Sequence, residues 1–228
     1  RLAAMDESYD ALAGSYDSHF DRPVDHWEDE RLAKILRPIV SDKRVLDLGC
    51  GTGWLLDHCE PGYYVGVDSS VLMLDELVRK HPVGVGAVKA EVGAPHWDLQ
   101  LPIGSAGRFD VVTATWALQY LYDGPGSLQS LLMQCASLVR KGGTIALHGY
   151  LPRYRYRRHY IGWPHHVPPV VHQLDPYQAT VGTGLVGPRL VGCGALPDSL
   201  AQSRWLWWKA LYLVPPGWHY SGIWIWSR

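Results

Sequence analysis

The stretch VLDLGCGTG, residues 45–53, places three glycines within five positions directly after an apolar run that carries one acid, Asp47. Val45, Leu46 and Leu48 make the nearly continuous apolar run expected of a parallel strand covered on both faces. Gly49, Gly51 and Gly53 then permit positive φ and leave a backbone that a ligand can press against. Trp54 to Cys59 suits a helix that opens straight after the glycines and offers them its positive end. A strand, a bare turn and a helix in immediate succession point to a layered α/β fold.

The rest of the chain repeats that alternation. Leu32, Ile35, Leu36 and Ile39 recur at i, i+3, i+4, i+7, so the periodicity predicts a helix from about Trp27 to Val40. YYVGVD supplies a second strand ending at Asp68, and Ser69 or Ser70 can cap a helix over Val71 to Lys80. VGAVKAE reads as a third strand and RFDVVTATW as a fourth. Leu128, Leu131, Leu132 and Cys135 mark a further helix, after which Lys141-Gly142-Gly143 turns the chain into a fifth strand, TIALHG. Strands alternating with helices require a parallel, doubly wound sheet with right-handed crossovers. GPRLVGCGAL and WHYSGIWIW read as sixth and seventh strands.

Ligands of such sheets bind beyond the carboxyl ends of the strands. The glycine turn lies at one of these ends. Asp68 lies at the next, nineteen residues after Gly49, where an acid can accept both hydroxyls of an adenosine ribose.

VLDLGCGTG, YVGVDSS, RFDVVTATWALQYL and LVRKGGTIALHG, in that order and at those separations, resemble the class I S-adenosylmethionine-dependent methyltransferases over residues 9 to about 149. The fingerprint of nicotinamide dehydrogenases fits less well, because the loop is GCGTG preceded by Asp47. The resemblance implies a Rossmann-like, seven-stranded, mostly parallel sheet whose last strand is antiparallel. It implies S-adenosyl-L-methionine as cofactor, with Asp47 and the backbone of Gly49, Gly51 and Gly53 at its amino-acid end. Asp68 would hold the ribose, Glu91 or its neighbours the adenine amino group, and Ser69 and Met73 would flank the ring. Tyr16, in YDALAGSYDSHF, would close over the cofactor. KAEVGAPHW departs here from the family's usual aspartate-alanine pair.

Residues after the fourth strand face the transferred methyl group in the resembling enzymes, which points to Thr115, Trp116, Gln119 and Tyr120. Core packing accounts for Trp116 and Tyr120 equally well. The Asn/Asp-Pro-Pro-Tyr type of sequence, found in enzymes that methylate exocyclic amines of DNA bases, is absent at this position. His148 ends the fifth strand and is the candidate general base, with His165 and His166 in a Pro-bracketed loop as alternatives; each also fits a structural or surface role. An amine or a stabilised anion would need no base.

Charge divides the chain. Residues 1–150 carry 20 acids and 13 Lys+Arg, a balance of -7, while residues 151–228 carry 2 acids and 8 Lys+Arg, a balance of +6. Seven of the eleven tryptophans also lie from Trp163 onward, so the carboxyl-terminal part is expected to determine the substrate. Arg153, Arg155, Arg157 and Arg158 alternate with tyrosines and could meet nucleic-acid phosphates, an anionic small molecule, or the acidic remainder of the chain. RWLWWKALYLVPP reads as a buried or lid-forming helix, with a dimer face or a shallow membrane contact as alternatives.

The expected organisation is one domain, 1–228. Residues 1–40 would form a helical lid, 41–150 the cofactor-binding core, and 151–228 a substrate-side insertion with the final strands. No stretch approaches the roughly 18 apolar residues of a membrane span, and the acidic start lacks a signal segment, so a cytoplasmic protein is expected. Cys50, Cys59, Cys135 and Cys193 show no zinc spacing and read as reduced, buried residues, and no metal is expected. The function expected is methyl transfer to a small molecule, aromatic or anionic. The rivals are an RNA methyltransferase and a non-catalytic cofactor-binding partner protein.

Overall fold

The computed structural model describes residues 9–21, 23–102, 107–118, 121, 125–150, 180–192 and 221–228. A 3-10 turn over Ala13–Ser15 runs into the single helical turn α1, Tyr16–His19. Then follow α2 (Pro23–Val40), β1 (Arg44–Leu48), α3 (Trp54–His58), β2 (Tyr63–Asp68), α4 (Val71–Lys80), β3 (Val85–Lys89) and β4 (Phe109–Ala114). The described chain continues with α5 (Pro125–Leu138), β5 (Val139–Tyr150), β6 (Val186–Gly192) and β7 (Ser221–Ser227).

The strands form one sheet in the order β3-β2-β1-β4-β5-β7-β6. The pairs among β1 to β5 are parallel, and β7 runs antiparallel to both β5 and β6. The parallel, doubly wound sheet and the antiparallel last strand are thus both present. β1 and β4 lie side by side at the centre, with connections leaving to opposite edges, so their carboxyl ends define the crevice between the two windings.

Side-chain alternation assigns the faces. Leu46 and Leu48 of β1, Val112 and Ala114 of β4, and Leu147 of β5 pack on one face with Leu128, Leu131, Leu132 and Cys135 of α5. Val45, Val111 and Ala146 pack on the other with Leu32, Leu36 and Val40 of α2, Leu55 of α3, and Leu74 and Leu77 of α4. In α2 the buried stripe is Leu32, Leu36 and Val40, whereas Ile35 and Ile39 are only partly buried; the contact row is thus i, i+4, i+8. The helix also starts at Pro23 rather than Trp27, with proline in the first turn, where its missing N–H costs nothing.

Several strand boundaries differ from the sequence reading; β4 stops at Ala114 rather than Trp116. β3 stops at Lys89, leaving Glu91 outside the strand. β5 starts at Val139 rather than Thr144, because α5 passes straight into extended backbone and Lys141-Gly142-Gly143 forms an irregularity within the strand. Gly142 has φ +73 and its N–H donates to the Arg228 carbonyl. Cys50, Cys59 and Cys135 are buried free thiols. Among the described residues, no helix is long and apolar enough to cross a membrane.

Candidate functional site

β1 delivers the chain into the glycine turn, and β2 fastens that turn from the side. Gly49 and Cys50 both donate to the Val67 carbonyl, at 2.8 and 3.0 Å. Asp68, at the end of β2, accepts from the Gly51 N–H at 2.8 Å through one oxygen and from the Ser70 N–H at 3.0 Å through the other. One half-buried carboxylate therefore holds both the middle of the loop and the start of α4.

The glycines are not equivalent. A Cβ on Gly49 would lie 2.5 Å from the Cβ of Ala117, and one on Gly53 would lie 2.6 Å from a Leu77 methyl, so packing within the chain already accounts for both. Gly51, at φ +53, would project its Cβ where no atom of the described residues lies within 4 Å. The bare-backbone argument, made above for three glycines, therefore rests on Gly51. α3 spans only five residues, so its dipole adds little to the loop.

Asp47 differs from the sequence expectation of direct ligand contact. It is fully buried beneath the loop, where Thr113 donates to one oxygen at 2.8 Å and the Tyr64 hydroxyl to the other at 3.0 Å. Burial pushes its carboxyl up to about 6, against the opposing pull of those two hydrogen bonds. Asp47 pairs with Thr113 across β1 and β4, and both point to the α2 side of the sheet. Asp47 therefore supports the loop from below.

A second layer comes from the amino-terminal segment. Asp10 accepts from the Ser70 hydroxyl at 2.5 Å, while Ser70 caps α4 by accepting from the Met73 N–H. Asp17 accepts from the Thr52 hydroxyl at 2.6 Å and from Lys80 Nζ at 2.8 Å, and Lys80 also reaches Asp57 at 2.6 Å. Burial raises the Asp17 pKa, but the hydrogen bonds from Lys80 and Thr52 outweigh it and leave the carboxyl below its usual range. Tyr16 is half-buried between Tyr9 and Phe20, at ring-centroid distances of 6.2 and 5.0 Å.

Ser69 is half-buried beside Asp68, Met73 is buried, and Glu91 is exposed beyond β3. Thr115 is buried at the end of β4. Trp116 follows at φ +57, a left-handed conformation uncommon for an aromatic residue. Its backbone N–H donates to Nδ1 of His148 at 3.3 Å, and the two rings meet edge to face with centroids 4.3 Å apart. Burial lowers the His148 pKa to about 3. Gln119, Tyr120, Arg153, Arg155, Arg157, Arg158, His165, His166, Cys193 and the segment 204–216 lie outside the described residues.

The structure thus gathers Gly51, Asp68, Ser69, Thr115, Trp116 and His148 at the carboxyl ends of β1, β2, β4 and β5. It adds Thr52, Asp10, Asp17, Lys80, Tyr64 and Thr113, which the sequence reading did not assign to the site. For Thr113 a signal existed: it and Asp47 are polar interruptions in apolar strands on neighbouring elements.

A family model described as a methyltransferase domain matches residues 19–179. No curated protein matches the sequence significantly. Among solved structures, an S-adenosylmethionine-dependent methyltransferase from Mesorhizobium loti aligns with TM-score 0.61 and 19% identity, covering 88% of this chain and 98% of that one. The CcbJ methyltransferase from Streptomyces caelestis aligns with TM-score 0.61 and 18% identity, covering 95% and 96%. DhpI, solved with SAH, aligns with TM-score 0.63 and 16% identity, covering 98% and 94%.

Proposed function

The chain belongs to the class I S-adenosylmethionine-dependent methyltransferase family, and on that premise we propose that it transfers a methyl group from S-adenosyl-L-methionine to a small molecule. The observation that carries this reading is the open, left-handed Gly51, bonded to a carboxylate at the adjoining strand end. An adenosyl group fits there: the backbone leaves room beside Gly51, and Asp68 stands where a ribose diol needs an acceptor.

When bound, the cofactor supplies a methyl group already activated on a sulfonium. The chain's own residues then have four tasks. Asp68 orients the ribose, and the Gly51 backbone meets the amino-acid end. Ser69 flanks it, and Glu91 or its neighbours meet the adenine edge. Asp47, with both oxygens engaged by Thr113 and Tyr64, keeps the turn rigid beneath the amino-acid end. The segment bearing Tyr16 excludes water from above. Thr115 and Trp116 close the side from which the methyl acceptor approaches, so alignment rather than acid–base chemistry dominates. We further propose that residues 1–40 act as lid, 41–150 as cofactor core and 151–228 as the substrate side of a single domain.

Titration calorimetry with S-adenosylhomocysteine tests the cofactor assignment, and release of that product from S-adenosylmethionine in the presence of candidate acceptors tests catalysis. Binding without turnover by any acceptor would favour a non-catalytic partner protein. Steeply salt-dependent binding to RNA, abolished by replacing Arg153, Arg155, Arg157 and Arg158 with alanine, would favour an RNA substrate.

A further inference from the structure

His148 has two ring nitrogens in different surroundings. Nδ1 accepts the Trp116 backbone N–H at 3.3 Å. Turning the ring over would set a carbon against that N–H, so the bond also determines the ring orientation. A nitrogen that accepts carries no proton, and in a neutral imidazole the proton then sits on the other nitrogen. The ring is 2% exposed and its burial disfavours the charged form throughout the neutral range. Nε2–H is therefore a donor, and it is buried without a hydrogen-bond partner among the described residues.

Buried donors left without a partner are rare in folded proteins, and each calls for an explanation. This one is held by a second unusual feature. Trp116 keeps its left-handed backbone just beyond β4 while its indole packs edge to face on the same imidazole. β4 and β5 are adjacent and parallel, so both residues lie at the strand ends where the methyl acceptor is placed by the reading above.

On that reading, we propose that His148 is a neutral hydrogen-bond donor rather than a base: the Trp116 backbone keeps its proton on Nε2, and the partner of Nε2–H is an oxygen or nitrogen lone pair of the methyl acceptor. The acceptor then reacts without giving a proton to this residue. It belongs to the class that needs none removed by His148: an amine, or a nucleophile already ionised. The donor serves to anchor a lone pair other than the attacking one and so orient the acceptor.

The test uses the 228-residue chain labelled with 15N-histidine and saturated with S-adenosylhomocysteine. The His148 signal is assigned by its loss in His148→Gln. Long-range 1H–15N spectra should show an unprotonated Nδ1 and a protonated Nε2, unchanged between about pH 5 and about pH 8. A protonated Nδ1, or titration within that range, would overturn the tautomer. Phenol and pyridine, which carry lone pairs on a six-membered ring, should move the Nε2–H resonance, and benzene should not. Silence with both, or an equal shift with benzene, would overturn the donor role. In the same complex His148→Gln, whose amide reaches the Nε2 position, should retain phenol or pyridine binding. His148→Asn should weaken it about tenfold, the loss expected for a hydrogen bond. Failure of S-adenosylhomocysteine to bind the unaltered chain would instead remove the cofactor reading, and the tautomer measurement on the free chain would still stand or fall by itself.

Discussion

The Thr52 hydroxyl donates to Asp17 at 2.6 Å, joining the glycine turn to a segment 35 residues upstream. The other Asp17 oxygen meets Lys80, which bridges to Asp57. With the Asp10–Ser70 bond, this fastens the amino-terminal segment at two points above the loop. One fastening is ionic and partly exposed, and the other is a short bond to a buried helix cap.

The ionic fastening should govern how quickly ligand leaves. Partly exposed pairs are worth about 0–1 kcal/mol, so Lys80→Met should speed S-adenosylhomocysteine release by up to about fivefold and make it insensitive to salt. Because the Asp17 pKa is depressed in the folded chain, its contribution is present above the unfolded value of about 3.9 and is lost as pH falls through the lower folded value. Release by the unaltered chain should therefore accelerate only in acid. Stopped-flow fluorescence measures both effects.

Substitutions of the loop glycines should separate packing from ligand space. Gly49→Ala drives a Cβ to 2.5 Å from Ala117 and should unfold the chain or lower its melting temperature severely. Gly51→Ala meets nothing among the described residues, so its cost to stability is the left-handed strain of about 1–2 kcal/mol. Its methyl group, however, occupies the space assigned to the cofactor, whose affinity should fall about tenfold or more. Calorimetry and thermal unfolding on the same pair of variants distinguish the two outcomes.

The turn, the alternation of strands and helices, and the acid at the end of β2 were legible because each has a local signal: glycines at fixed offsets, apolar runs, and a polar residue ending a strand. The fastening of Asp17 to Thr52 and Lys80 carries no such signal, since it depends on how a short helical segment folds back over elements far along the chain. Asp47 shows a different limit. Its position in the motif was plain, but whether a carboxylate at a strand end faces ligand or core depends on what lies opposite in the sheet. Here Thr113 lies opposite on β4, while Gly66 lies opposite on β2 and the hydroxyl of Tyr64, two residues earlier, reaches the carboxylate. Trp116 could be placed after β4 by pattern, yet nothing in the residue type announces a positive φ.

Asp68 should show two separable losses. Asp68→Ala removes the acceptor for a ribose diol and should weaken S-adenosylhomocysteine binding by about 1–3 kcal/mol. It also frees the N–H groups of Gly51 and Ser70, so a fall in melting temperature should accompany it. Asp68→Asn keeps one carbonyl oxygen and should recover part of the stability, while recovering less of the affinity because the charge is gone. Equal affinity in all three proteins, by calorimetry, would take Asp68 out of the nucleoside site.

Asp47 leads to a prediction about pH whose sign opposes that for Asp17. Burial lifts its carboxyl to about 6 in the folded chain, whereas the unfolded value is about 3.9. Between these values the unfolded chain has released the proton and the folded chain still holds it, so stability falls as pH rises. A shift of this size corresponds to about 3 kcal/mol, incurred across that interval and constant above it. Asp47→Asn removes the titration while preserving shape and an acceptor for Thr113. The difference in unfolding free energy between the unaltered chain and Asp47→Asn, followed by urea denaturation from about pH 4 to about pH 7, should therefore move steadily in favour of the asparagine variant and then level off. A difference that stays flat across the interval would mean that Thr113 and Tyr64 hold the buried carboxylate in its charged form.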